Sequence, residues 1–291
     1  MPNKHIQAAI IYDFDGTLSP INMQEHEFIP QLGMTSNEFW KKAKKLAKDQ
    51  NACEILCYMH LMLKEANYKG LKVVKSDIRN YGKDITLFKG VESWFERQNE
   101  YAKSKGVKLS HYVISSGIKP LIEGTSIAKH FDKVFACDFI YDVDGKPIAP
   151  GVAVDYTAKT QYIFRINKGC LEQWDNSMIN SHVPLSERPI PIENMIFIGD
   201  GSTDIPAMKM TSNYGGLSVC VYKPHSTPRK NYANKLLSEN RADCVASADY
   251  RKGKDLEKII TSRIDSIAAN QTFERIKKKH SKPNDGSAAF P

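Results

Sequence analysis

Two short apolar runs, each followed by a pair of aspartates, constrain this chain more than any other feature. Ile6 to Tyr12 reads I-Q-A-A-I-I-Y and runs into D-F-D-G-T, so Asp13 and Asp15 stand two residues apart. Met195 to Ile198 reads M-I-F-I and runs into G-D-G-S-T-D, with Asp200 and Asp204 one helical turn apart. A short apolar run bounded by turn residues predicts a buried strand. Ligands of open α/β sheets gather outside the carboxyl ends of such strands. Each acidic turn alone could be a strand end decorated with Asp; two of them point to one shared site.

Further strand-like runs follow the same logic. Lys108 to Ser115 reads K-L-S-H-Y-V-I-S, Val134 to Tyr141 reads V-F-A-C-D-F-I-Y, and Leu217 to Tyr222 reads L-S-V-C-V-Y. Cys244 to Ala246 is a last short candidate, and Asp142 to Gly145 has the composition of a hairpin turn. Helical patterns lie between most of these runs, which predicts an α/β fold: a mainly parallel sheet with helices on both faces. Residues 19 to 88 contain no convincing strand. Thr35 and Glu38 fit a capping box, and Phe39, Ala43, Leu46 and Ala47 recur at helical spacing behind it. A second helical stretch runs from Ala52 to Ala66, and a third from Val91 to Lys103. The expected organisation is a core of residues 1–18 and 107–270, a helical insertion over 19–106, and a polar, small-residue tail over 280–291 that predicts disorder.

The 291 residues are 41% hydrophobic and 25% charged, as in a soluble globular chain. The net charge of +8 suits anionic ligands in general. The lysines at 41, 42, 44, 45 and 48, and those at 277 to 279, read as solvated helix faces. No aromatic-rich nucleic-acid motif accompanies them, so a nucleic-acid partner is not expected. The six cysteines include no C-x-x-C pair, which argues against zinc; Cys53 and Cys57 fit a helix core. No apolar stretch is long enough to span a membrane. The start M-P-N-K-H-I-Q has no long apolar run, so no signal peptide is expected and a reduced, cytoplasmic setting is the default.

The chemistry follows from the acidic turns. If the chain stays extended, Asp13 and Asp15 point the same way, and Gly16 permits a sharp turn after them. Carboxylates so close repel, and need a cation or a shared proton. A hard divalent cation held by oxygens answers this, and with phosphate as co-ligand it is typically magnesium. Ser115 and Ser116 end a strand before Gly117, and hydroxyl and N–H groups at such a turn suit a phosphate oxygen. Lys159, in Y-T-A-K-T-Q-Y-I near a predicted helix start, could offset the charge of Asp13 and a bound phosphate.

The order of these pieces resembles the haloacid dehalogenase superfamily. D-F-D-G-T after a strand, a strand ending in Ser, a Lys, and a strand ending in G-D-x-x-x-D occur here in sequence. G-D-G-S-T-D-I-P-A-M-K looks most like the phosphoserine-phosphatase-like branch. The resemblance implies a Rossmann-like three-layer α/β/α core with an inserted helical cap. It also implies Asp13 as a nucleophile forming an aspartyl-phosphate, and Asp15 as general acid and then base. Ser115 would bind phosphate, with Ser116 beside it, and Lys159 would steady nucleophile and phosphate. Magnesium would be held by Asp13, Asp200 and the backbone carbonyl of Asp15, with Asp204 in support. The dehalogenase members lack the second aspartate, so Asp15 argues for phosphoryl transfer. The expected substrate is a small phosphorylated metabolite. A phosphotransferase using the same intermediate and a non-catalytic binding protein on the same scaffold are the alternatives. The segment 170–191 is longer than the branch leads one to expect, and the oligomeric state is not written in the sequence.

Overall fold

The computed structural model describes residues 6–280; the expected tail, apart from His280, lies outside the described residues. Seven strands form one sheet: β1 (Ile6–Tyr12), β2 (Val107–Ile118), β3 (Lys133–Tyr141), β4 (Pro147–Val152), β5 (Met195–Gly199), β6 (Leu217–Tyr222) and β7 (Cys244–Ser247). Their spatial order is β4-β3-β2-β1-β5-β6-β7. All neighbours run parallel except β3 and β4, which form an antiparallel pair. β1 sits centrally between β2 and β5. Every residue of β1 but Gln7 is buried, which is why it reads as an unbroken apolar run.

The helices are α1 (Phe28–Gln31), α2 (Ser36–Gln50), α3 (Glu54–Tyr68), α4 (Lys75–Tyr81), α5 (Trp94–Ser104), α6 (Lys119–Gly124), α7 (Ala158–Lys168), α8 (Ile205–Asn213), α9 (Thr227–Ser238) and α10 (Asp255–His280). Two faces of the sheet are covered. Tyr12 and His111 face α5, where both rings meet Phe95 at 5.7 and 5.2 Å. Phe135, on the opposite face, stacks on Tyr162 of α7 at 4.8 Å. α7 packs against α8, and α5 against α10. The result is the expected three-layer arrangement of helices, sheet and helices.

α1 to α4 form a helical insertion between β1 and α5. Its two ends meet: the N–H of Phe88 donates to the carbonyl of Leu18 at 2.9 Å. Buried Tyr250 braces this neck, its hydroxyl donating to the carbonyl of Thr17 and its N–H to that of Lys89, both at 2.9 Å. α5 falls inside the expected insertion 19–106, yet it packs on β2 and α10. Its Trp94 donates from Nε1 to the hydroxyl of Tyr12 at 2.9 Å.

The five lysines of α2 are exposed, as are Lys277 and Lys279. All six cysteines are free. No helix among the described residues is long and apolar enough to cross a membrane.

Candidate active site

The carboxyl ends of β1, β2 and β5 open into a cleft of about 970 Å³ between the sheet and the helical insertion. Asp13 follows β1 and remains in its ladder, its N–H donating to the carbonyl of Ile198 at 2.9 Å. Its side chain is almost wholly buried at the cleft floor. The chain then turns sharply, with the N–H of Gly16 donating to the carbonyl of Ser19 at 2.7 Å. Gly16 has φ +77°, and a Cβ there would lie 2.2 Å from Oδ2 of Asp200. Only glycine serves at this point, because both backbone and space exclude a side chain.

Lys159 enters from the first turn of α7 and is fully buried. Its ammonium donates to Oδ1 of Asp13 at 2.8 Å and to Oδ1 of Asp204 at 2.6 Å. Asp204 also accepts the N–H groups of Asp200 and Gly201 on Oδ2, each at 3.1 Å. Both of its oxygens are therefore occupied in closing the turn after β5 and holding Lys159. The aspartate ties the turn together. Asp200 keeps its carboxylate toward the cleft, with Arg229 at 3.7 Å.

Asp15 lines the same cleft as Asp13. Its Oδ1 accepts the N–H of Met23, in the first residues of the insertion, at 2.8 Å. Ser115 is buried in β2, just before a register shift between Ser115 and Ile118. Its Oγ accepts the N–H of Gly117 at 3.0 Å, which leaves the hydroxyl proton free to donate. Ser116 lines the cleft, and its carbonyl accepts the hydroxyl of Tyr58, on α3, at 2.6 Å. All seven residues singled out in the sequence thus stand in or directly beneath this cleft.

The electrostatics follow from four carboxylates around one buried ammonium. Burial and the charge of Asp204 push Asp13 up to about 6, although Lys159 opposes the shift. Burial and the charge of Asp13 hold Asp15 well above the usual carboxylate range. Burial, Asp204 and Asp13 do the same to Asp200. Burial works against the Lys159 ammonium, but the charges of Asp13 and Asp204 outweigh it and hold it above its ordinary value. Carboxylate oxygens of Asp13, Asp200 and Asp204 lie within 4.8 Å of one another. An all-oxygen donor set with excess negative charge fits a hard divalent cation. Asp13 and Asp200 are the side chains with oxygen left to give.

Comparison with known proteins gives the family. The haloacid dehalogenase-like hydrolase family matches residues 10–209, a span that runs from β1 into α8 and includes all seven residues. The chain belongs to that family. A Borreliella burgdorferi protein described as uncharacterized is 33% identical over 285 residues, covering 88% of this chain and 96% of its own length. Among solved structures, apo phosphoserine phosphatase superposes with a TM-score of 0.53 at 19% identity, over 87% of this chain and 98% of that one. A HAD family hydrolase of Salmonella enterica serovar Typhi gives 0.53 at 15% identity, over 84% and 68%. The fold is therefore that of this family's phosphoserine-phosphatase-like members.

Several cleft residues escaped the sequence reading. Tyr58 sits in a helical apolar pattern and reads as core. Glu25 accepts from Nε1 of Trp40 at 2.7 Å, a contact between residues fifteen apart that no local pattern signals. Lys223 and Arg229 follow β6 and line the same cleft. The rule that ligands meet strand carboxyl ends points to that loop, but not to which of its residues matter.

Proposed function

We propose that this hydrolase is a magnesium-dependent phosphomonoesterase that attacks phosphate with the carboxylate of Asp13. The observation that carries the reading is the Asp13–Lys159–Asp204 arrangement at the cleft floor. One Asp13 oxygen is fixed by a buried ammonium, which leaves the other to face a ligand. A free oxygen of Asp13 attacks phosphorus as the ester bond breaks. The leaving alkoxide takes a proton from the Asp15 carboxyl, whose burial favours the protonated form. Asp15, now ionised, takes a proton from water. The water oxygen attacks phosphorus, the bond to Asp13 breaks, and inorganic phosphate leaves. Ser115, Ser116 and Lys159 hold the phosphoryl oxygens through these steps. Magnesium, held by Asp13, Asp200 and the backbone carbonyl of Asp15, would neutralise charge on the phosphoryl group.

The helical insertion is assigned as a cap over residues 19–88, with α5 given to the core. The meeting of Leu18 and Phe88 supports this boundary. Caps of this kind exclude water and select the leaving group. A small phosphorylated metabolite suits the cleft volume, and the free thiols suit the cytoplasm.

The test is phosphate release from a panel of phosphorylated metabolites with magnesium. Asp13→Asn should lower kcat by about a thousandfold or more. With an aryl ester, whose leaving group needs little help from an acid, Asp15→Asn should let labelled phosphate accumulate on the protein, because the transfer that activates water is then the one that slows. Unchanged release by Asp13→Asn would remove the nucleophile assignment. Release that appears only when an alcohol acceptor is added would favour the transferase alternative.

A further inference from the structure

One wall of the cleft carries positive charge that the scissile phosphate does not require. This wall is built by the loop and first turn of helix after β6. Arg229, 60% exposed, pairs with Asp200 at 3.7 Å, and Lys223 stands exposed beside the same opening. That segment lines the cleft without a carboxylate; Asp200 lines it from the turn after β5, and Glu25 and Glu54 line it from the insertion. The scissile phosphate already has Lys159, Ser115 and the cation expected between Asp13 and Asp200. Asp200 has two oxygens, so one can serve that cation while Arg229 stays near the other, beside the cleft it already lines. A volume near 970 Å³ lies at the upper end of ordinary small-molecule sites, so a leaving group of some size has room to reach it.

We propose that Arg229 and Lys223 form a specificity site for a second anionic group, carboxylate or phosphate, on the leaving group of the substrate. The inference rests on the phosphomonoesterase reading and narrows its substrate class to esters with two anionic ends. Guanidinium and ammonium donors recognise both kinds of anion, with Arg better matched to their planar or tetrahedral oxygens.

Three matched esters separate the outcomes: phenyl phosphate, 4-carboxyphenyl phosphate and 1,4-phenylene bisphosphate. The wild-type protein with magnesium should hydrolyse at least one of the two esters that carry a second anionic group with kcat/KM roughly ten- to a hundredfold above phenyl phosphate, the difference lying in KM. Which of the two leads identifies carboxylate or phosphate as the preferred group. The preference should shrink as ionic strength rises. In Arg229→Glu and in Lys223→Glu the ratio should fall toward one, and a cationic ester, 4-(aminomethyl)phenyl phosphate, should gain on the others. A ratio is read rather than a rate, so a general loss of activity does not mimic the effect. Equal efficiency on all three esters by the wild type, or a ratio unmoved in both variants, overturns the specificity site alone. Release of phosphate from none of the esters overturns the phosphatase reading and this inference with it.

Discussion

Lys159 carries its charge where water does not reach, and among the described residues Asp13 and Asp204 are the carboxylates that hold it there. Lys159→Met should cost about 3–5 kcal/mol of stability in denaturant unfolding, because it leaves two buried carboxylates facing one another. Adding Asp204→Asn should recover part of that loss; no recovery would mean that the penalty comes from packing. In the sequence Lys159 is one lysine among many, and only its place in the order of motifs singled it out. The dual use of Asp204, with both oxygens committed inside the protein, was not legible at all, since it depends on where α7 lies. His111 offers a second residue-scale test. Trp94 donates to the Tyr12 hydroxyl, and that hydroxyl can donate to Nδ1 of His111 at 3.0 Å. Nε2 then donates to Asn99 at 3.1 Å. This relay needs a neutral ring, and burial, aided by the charge of His130, pushes His111 down to about 3. The depressed value means that the unfolded chain binds a proton the native state refuses. Stability is complete above about pH 6.5 and falls as pH drops toward 3, by about 1.4 kcal/mol per unit from this residue. His111→Gln should flatten the stability profile across that window by this amount, and an unaltered slope would contradict the relay.

At the scale of elements, α2 forms as its sequence demands. Thr35 Oγ1 accepts the N–H of Glu38 at 3.3 Å, and the Glu38 carboxylate accepts the N–H of Thr35 at 2.8 Å. Thr35→Ala should destabilise α2 by about 1 kcal/mol, readable as faster amide exchange in residues 36–40. Exchange unchanged there would mean that packing on α3 alone holds the helix end. The hairpin turn read at Asp142 to Gly145 forms between β3 and β4, but β4 itself was not legible, because the two prolines and the glycine of P-I-A-P-G-V argue against a central strand. It forms at the sheet edge, paired only with β3, where a missing N–H can face outward. The long segment 170–191 was equally opaque. Buried Arg165 gathers it, donating to the carbonyls of Glu172 and Asp175 at 2.8 and 2.9 Å and to Asn176 at 2.6 Å. A charged residue on a helix gives no sign in sequence that it will face inward as the post around which a loop winds. α5 shows the matching limit: its amphipathic pattern declares a buried face but not which neighbour buries it.

At the scale of the whole molecule, the neck at Leu18 and Phe88 decides how insertion and core relate. The order of layers was readable because strands and helices alternate. The boundary was not, because a boundary is set by contacts between distant residues. Tyr250→Phe removes the donor to the Thr17 carbonyl and leaves a buried acceptor without a partner. Urea unfolding should show a loss of about 1–3 kcal/mol, and wild-type stability in this variant would remove Tyr250 from the neck's support. The neck also has a meaning for descent and engineering. A segment whose ends are one hydrogen bond apart behaves as a cassette: it can be lengthened, replaced or exchanged between relatives while the strands around it keep their register. One stipulation comes with that freedom. Met23 anchors Asp15 from inside the cassette, so a graft that begins before Met23 would replace the backbone group that holds Asp15, whereas one that begins beyond it would keep that group and exchange the helices α1 to α4.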